Sequence, residues 1–444
     1  MANRRAERRA IAAIGLALVA WQCGSTPPPL PNLSSAPSAI RTHLELERES
    51  GIDGYCVALH ADMFFAEAQR CYAILERRDP SSWKWTYFRA LILDENGGGP
   101  AVVDALRTVT ARAPEFGPAW LRLGEAEFKL GKYDAAVETW TRAIAAHQPD
   151  RGNDTPQRVV DIPLSAYARF NIARVKLAAG DADGARRLLE DAIASAPRFG
   201  SAYRMLSEAD RVLNRGAEAS NAKSRADRLP PYAPYADPMI EILARMSRNA
   251  TFLLRQASEA DLDSNAPWSE FLIRRALGFD PENPDVLAKL GRVLRTLGRN
   301  DEALDVLRVY HSKVPGDLQG LAQLGSCLTD LKQYAEAERD LRQALDGVDD
   351  AQTHYNLGVV LAATDRVKEA IEEYQRALQR DPYLSDARNN LAAAYAREGR
   401  MTEAAAELTK VLAADPDNAL ARANLQIIGR PGSQSPTSRP PERR

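Results

Sequence analysis

Histidine, cysteine and methionine are scarce, at five, four and six in 444 residues. Metal and haem proteins concentrate such side chains. Here His43, His60, His147, His311 and His354 never fall at metal-ligand spacing. No cysteine sits in a Cys-x-x-Cys or Cys-x-x-Cys-His context, which excludes the thiol-redox and haem-attachment motifs. A charge excess is also missing: 58 Lys and Arg stand against 60 Asp and Glu, a formal net charge of −2, whereas a nucleic-acid binder usually carries a basic surplus. There is no Gly-rich phosphate loop and no nucleophile elbow; Gly97–Gly99 reads as a plain turn. The sequence therefore offers no catalytic residue and implies no cofactor. What it does have is 45% hydrophobic residues, enough to fold, in a chain too long for one core of ordinary size.

The N-terminus reads as a targeting segment rather than as part of the fold. Arg4, Arg5, Arg8 and Arg9 precede an apolar run from Ile11 to Trp21. A basic head and a run of about 7–15 apolar residues form a secretory signal peptide, and the run is shorter than the roughly 20 residues a bilayer-spanning helix needs. Cys23, Gly24 and Ser25 follow, then a Pro/Ser-rich stretch to about Ala39. This resembles a bacterial lipoprotein signal, which implies lipidation of Cys23, although Trp21 and Gln22 stand where small residues are usual. Soluble export with cleavage after Ser25 is the rival reading. Residues 1–22 are expected to be the signal peptide and 23–48 a flexible tether. The protein is expected to be exported, as an outer-membrane lipoprotein or a periplasmic protein.

The prolines carry a period. Pro80 and Pro114, Pro197 and Pro231, Pro281 and Pro315, and Pro382 and Pro416 are each 34 residues apart. Within units aligned on them, Trp120, Leu123 and Gly124 share one face of a first helix, and Ala136, Trp140 and Ala143 share one face of a second, with Gly131 breaking between them. Glu127 departs from the expected apolar residue, and Phe128 covers the same face. Gly124 and Ala136 lack bulk where the helices cross, so the axes can approach while aromatics fill the flanks. The pattern recurs as Leu287, Leu290, Gly291, Leu294, Ala303, Leu307 and Tyr310, as His354, Leu357, Gly358, Leu361, Ala370, Tyr374 and Ala377, and as Arg388, Leu391, Ala392, Tyr395, Ala404, Leu408 and Val411. This resembles the tetratricopeptide repeat over about residues 49–430. The resemblance implies an all-α fold, a right-handed α-solenoid of stacked antiparallel helix pairs.

Ten units are expected, starting near Glu49, Trp83, Gly117, Ala166, Gly200, Ala250, Pro284, Leu318, Ala351 and Ser385. Units 1–3 span 49–150, units 4–5 span 166–233 and units 6–10 span 250–417. A capping helix at 418–430 hides the last open face, and 431–444 is expected to be disordered. Insertions at 151–165 and 234–249 break the period. The second carries Tyr235, Pro238, Ile240, Ile242 and Leu243. It reads either as a linker helix lying on the solenoid or as a segment that enters the groove and gates it. Cys56, at the small-residue position of unit 1, is expected to pack in the core; a Cys56–Cys71 disulfide is conceivable in an oxidising compartment. Cys327 is expected to be a buried free thiol, and Trp83, Trp85, Trp120 and Trp140 to be core residues.

In tetratricopeptide proteins the first helices line a concave side that binds peptides or partner segments. One first-helix position here is polar in most units: Arg122, Asn171, Lys289, Gln323, Asn356, Asn390 and Asn424, with Met205 breaking the row. A row of Asn can hold an extended peptide by its backbone; the plainer reading is a solvated polar row. No Lys and Arg set matches a carboxylate clamp. The resemblance implies a non-enzymatic interaction scaffold for protein or peptide partners in the bacterial cell envelope, with the membrane reached only through the N-terminal lipid. A dedicated accessory subunit for one envelope enzyme or export pathway is the alternative.

Overall fold

The computed structural model describes residues 27–146, 162–229, 235, 237–262, 265–415 and 418–428. Among these there are 23 α-helices and no strand. The first is α1, Ser38–Ser50. Ten antiparallel pairs make up most of the rest. They are α2/α3 (Ile52–Ala61, Phe65–Arg78), α4/α5 (Trp83–Glu95, Gly99–Arg112), α6/α7 (Gly117–Lys129, Tyr133–Ala145), α8/α9 (Leu164–Ala178, Ala182–Ser195) and α10/α11 (Gly200–Val212, Gly216–Ala226). A lone helix, α12 (Pro238–Met246), precedes α13/α14 (Ala250–Leu262, Ala266–Phe279), α15/α16 (Pro284–Thr296, Asn300–Lys313), α17/α18 (Leu318–Asp330, Tyr334–Ala344), α19/α20 (Ala351–Ala363, Val367–Arg380) and α21/α22 (Ser385–Arg397, Met401–Ala414). The last helix is α23, Ala419–Ile428. Within units 1–5 and again within units 6–10 each pair packs on the next, so the chain is an α-solenoid in two runs.

Two devices recur along the chain. Small residues let the paired helices cross closely: a Cβ on Gly291 would lie 2.6 Å from Leu307, one on Gly325 2.7 Å from Leu341, one on Gly358 2.6 Å from Tyr374, and one on Gly124 would overlap the Trp140 indole. The large partner therefore fills the space a side chain would take. Where it is described, the turn inside a pair carries a residue in the left-handed region. Nine of the ten turns are described through this position, and it has positive φ in all nine: at Gly97, Gly131, Gly180, Gly298 and Gly399, and also at Met63, Asn214, Lys332 and Asp365, where a side chain is carried at a steric cost.

Three features differ from the sequence reading. Residues 38–48, expected in the tether, belong to α1, whose Ile40 and Leu44 are buried against the core. Cys56 is buried in the core and is also disulfide-bonded to Cys71, with the Cα atoms 5.4 Å apart, so the two helices of unit 1 are joined covalently from the position where several other units use a glycine. Finally, the units do not bury their apolar sides against sequence neighbours alone. One continuous core runs from Ile40 to Ala126 and on through Met239, Leu243 and Ala244 to Ala421, while units 3–5 form a second cluster from Leu121 to Ala209.

Cys327 is a buried free thiol, its ionisation pushed up to about 11 by burial. Trp140 is fully buried; Trp83, Trp85 and Trp120 are half-buried against the core. Glu127 is buried and satisfied, receiving hydrogen bonds from Arg107 at 2.7 Å and Thr139 at 2.7 Å, which ties unit 2 to unit 3. The insertion at 151–165 and the expected signal peptide, including Cys23, lie mostly or wholly outside the described residues, as does the 431–444 tail; only Ile162–Ser165 of that insertion is described, and Leu164 already begins α8.

Candidate protein-binding groove

The first helices of successive units stand side by side, and a polar ladder stitches them together. Arg122 Nε donates to Tyr87 Oη at 3.0 Å, Lys129 Nζ to Asp94 at 3.1 Å, Asn356 Nδ2 to Ser326 Oγ at 2.6 Å, Asn390 Nδ2 to Tyr355 Oη at 3.5 Å, and Arg295 Nη2 to Asp330 at 2.9 Å. All of these link one first helix to the next. Of the residues singled out in the sequence, Arg122, Asn356 and Asn390 take part in this ladder, so much of their hydrogen-bonding capacity is used within the protein. Asn356 is 4% exposed, and its Oδ1 accepts from Gln352 Nε2 at 3.2 Å, so both ends of the amide are engaged. Lys289 donates to Ser258 Oγ at 2.7 Å and pairs with Asp261 at 3.1 Å. Burial lowers the Lys289 ammonium below its ordinary pKa, with Asp261 opposing that shift. Gln323 keeps a buried Oε1 with no hydrogen-bond donor, whereas Asn171 on α8 and Asn424 on α23 are half-buried.

Arg122 does something the sequence did not disclose. Its Nη2 lies 3.1 Å from Asp237 Oδ2, its guanidinium sits 5.7 Å from the Tyr235 ring centre, and Tyr87 Oη donates to the same Asp237 oxygen at 2.7 Å. Burial opposes charge on Arg122, but Tyr235, Tyr87 and Asp237 outweigh it and hold the guanidinium above its usual pKa. Burial first, then Asp237, pushes the Tyr87 phenol up. Asp237 also caps α12, accepting from Met239 N at 3.0 Å, with Pro238 at the first helical position, where a missing N–H costs nothing. The second insertion thus enters the groove of units 1–3: α12 packs on α2, while Asp237 reaches α4 and α6, all first helices. Met239, Leu243 and Ala244 are its buried face.

The far end of the insertion is locked. Arg248 N donates to Asp62 Oδ1 at 2.6 Å, and the other Asp62 oxygen is 2.8 Å from His43 Nδ1. Arg275 Nη2 donates to the carbonyls of Arg245 at 2.6 Å and Ser247 at 3.1 Å. Asn249 Oδ1 accepts from Phe252 N at 3.0 Å and so caps α13. The next unit starts against the same groove, where Arg255 pairs with Glu95 at 3.1 Å.

Between the insertion and the groove floor lies a cavity of about 540 Å³, lined among others by His60, Asp94, Arg122, Lys129, Arg255 and Glu259. His60 is 3% exposed; burial first, then Arg255, lowers its pKa to about 3, so the ring is neutral, with Nδ1 3.3 Å from Tyr72 Oη. Burial raises the Glu259 carboxyl above the ordinary range, against the pull of Arg255 and Arg122. Among the described residues no group of three His, Cys, Asp or Glu is placed to hold a metal ion, and no helix is long and apolar enough to cross a membrane.

A stack of antiparallel helix pairs defines a class, the helical-repeat proteins. Three family models described as tetratricopeptide repeat match: one at residues 103–152 and 328–385, one at 361–426 and one at 166–191 and 284–308. Tetratricopeptide repeats are therefore present across much of the solenoid. No curated protein matches. Among solved structures, MamA (residues 41 to the end) from Desulfovibrio magneticus RS-1 is 20% identical, with a TM-score of 0.34, over 38% of this chain and 97% of that one. A thermophilic tetratricopeptide protein of Thermus thermophilus is 23% identical, with a TM-score of 0.35, over 40% of this chain and 98% of that one. A chain of the APC/C hetero-tetramer Cut9–Hcn1 is 12% identical, with a TM-score of 0.38, over 88% of this chain and 91% of that one.

Proposed function

We propose that this protein is a non-enzymatic interaction scaffold of the bacterial cell envelope, which holds partner proteins or peptides along the inner face of its solenoid. The observation that carries the reading is the alignment of first helices into an inner wall within each run, units 1–5 and units 6–10, with a polar residue at the same position of most units. Each further unit lengthens that wall without adding a pocket for chemistry. Tetratricopeptide repeats matched within residues 103–191 and 284–426 support it. Two features support export: the basic, apolar and Cys23 pattern at the N-terminus, and the buried Cys56–Cys71 disulfide, a bond that persists in oxidising compartments and is rare in the cytosol. Lipidation of Cys23 would then tether the solenoid to a membrane.

Two experiments test this. Tagged full-length protein, recovered from membrane extracts, should bring down partner proteins; a chain that captures none under mild conditions refutes the scaffold reading. Recovery of one partner in stoichiometric amount identifies a dedicated accessory subunit. Cys23→Ala should move the protein from the membrane to the soluble fraction, and a variant that stays membrane-bound refutes the lipid anchor.

A further inference from the structure

The inner groove of units 1–3 is not bare: the chain fills it with its own Asp237–Met246. We propose that this groove is a receptor for an acid-capped amphipathic helix, and that α12 is the built-in competitor for it. The inference deepens the scaffold reading and rests on it.

Four observations converge. First, the contact adds a ligand-like polar recognition to its core packing. A single carboxylate, Asp237, is received by Arg122 at 3.1 Å and Tyr87 at 2.7 Å, two side chains from different units. A buried charge pair is weak as a stabiliser but strong as a register device, because only one placement of the helix satisfies it. Second, the apolar face is short. Met239, Leu243 and Ala244 are buried in the groove and Ile240 and Met246 pack partly against it, while Ile242 on the same nine-residue helix stays 38% exposed. Third, the seat is larger than its occupant. A cleft of about 540 Å³ remains between α12, α13 and the wall, lined by charged side chains such as Asp94, Lys129 and Glu259. Fourth, both ends of the segment are tied to the solenoid. Ser247–Asn249 is pinned through Asp62 and Arg275, and at the other end Asp237 bonds Arg122 and Tyr87 while the Tyr235 ring centre lies 5.7 Å from that of Tyr167. A competitor tethered in this way acts at an effective concentration in the millimolar range.

The partner's chemistry follows from the occupant. It is a helix with a carboxylate at its N-cap, proline next, and apolar side chains two, six and seven residues beyond the carboxylate, as Asp237, Pro238, Met239, Leu243 and Ala244 are arranged. The carboxylate docks on Arg122 and Tyr87, and the apolar residues lie on α2.

The test uses the full chain and a fluorescent peptide with the sequence of residues 235–249. Asp237→Ala combined with Leu243→Asp should unseat α12 and raise peptide affinity at least tenfold over wild type. Adding Arg122→Ala should remove that gain, and so should a peptide with Ala in place of its Asp. Equal, weak binding by the wild type and by a helical, unseated variant overturns the proposal. Should the variant not fold, hydrogen exchange on the wild type decides: saturating peptide should speed exchange of amides 239–246 and leave those of α17 unchanged, and unaltered protection of 239–246 overturns it. Peptide binding without any captured envelope protein would sink the scaffold reading alone; partner capture without peptide competition would sink this inference alone.

Discussion

Single residues decide whether a helix pair can close. Gly358 faces Tyr374 so nearly that a methyl group has no room. Replacing glycine with alanine in a helix ordinarily stabilises by about 1 kcal/mol; here overpacking should reverse the sign, and Gly358→Ala should lower stability by roughly 1–3 kcal/mol in urea unfolding. The left-handed turn gives the opposite expectation. Lys332 holds φ at 61° where other units place glycine, so Lys332→Gly should raise the midpoint, by about 0.5–1 kcal/mol once the added freedom of the unfolded chain is subtracted. His60 carries a pH dependence. Its folded pKa of about 3 lies below the unfolded value near 6.5, so the stability it contributes is fully present above pH 6.5 and is lost as pH falls toward 3. The slope is at most ~1.4 kcal/mol per pH unit. His60→Gln, which can still bond Tyr72, should flatten the fall in melting temperature between pH 6.5 and 4.5.

At the scale of the element, unit 1 is held covalently. Opening the Cys56–Cys71 bond, which closes a separation of 15 residues, should cost about 3 kcal/mol by the chain-entropy argument. Cys56→Ser with Cys71→Ser, or reductant alone, should lower the first unfolding transition, and an unchanged melting curve would contradict it. The helix pairs themselves were legible in the sequence, because proline spacing and the small–large alternation of Gly124 with Trp140 or Gly358 with Tyr374 are local facts that one period of 34 repeats. The polar row was legible as a position but not as a set of bonds. Arg122 and Tyr87 lie 35 residues apart, and Asn356 and Ser326 lie 30 apart, distances that matter only after the helices are stacked. Asn356→Ala is accordingly expected to cost about 1 kcal/mol of stability through the lost Ser326 bond. Helix α1 was missed because the Pro/Ser-rich stretch ahead of it overshadowed Ile40 and Leu44, a helical pair at i and i+4. The seat of α12 was open between two readings, since what places it is Asp237 meeting Arg122 across 115 residues.

For the whole molecule, the insertion turns one long row into two arms that share a base. Units 6–10 start in the groove of units 1–3, through Arg255–Glu95 and Arg248–Asp62, and the far ends meet where Arg228 lies 3.3 Å from Asp415. The base is apolar and buried, whereas the far contact is one half-exposed ion pair worth roughly 0–1 kcal/mol. Small-angle scattering should therefore show an increased radius of gyration for Leu243→Asp, whose side chain sits in the base, and none for Asp415→Ala. The reverse ranking would mean that the arms are joined at their tips.

The shared base also sets an order of events. A chain that emerges from the ribosome or a translocation channel N-terminus first completes five units while their inner wall is still bare; the covering residues, Met239 to Ala260, arrive later. Until then Leu91 and Phe65, which line that wall, face solvent, and the nascent arm is a target for chaperones that hold oily surface. A fragment ending at Leu229 should bind a hydrophobic dye that the complete protein excludes.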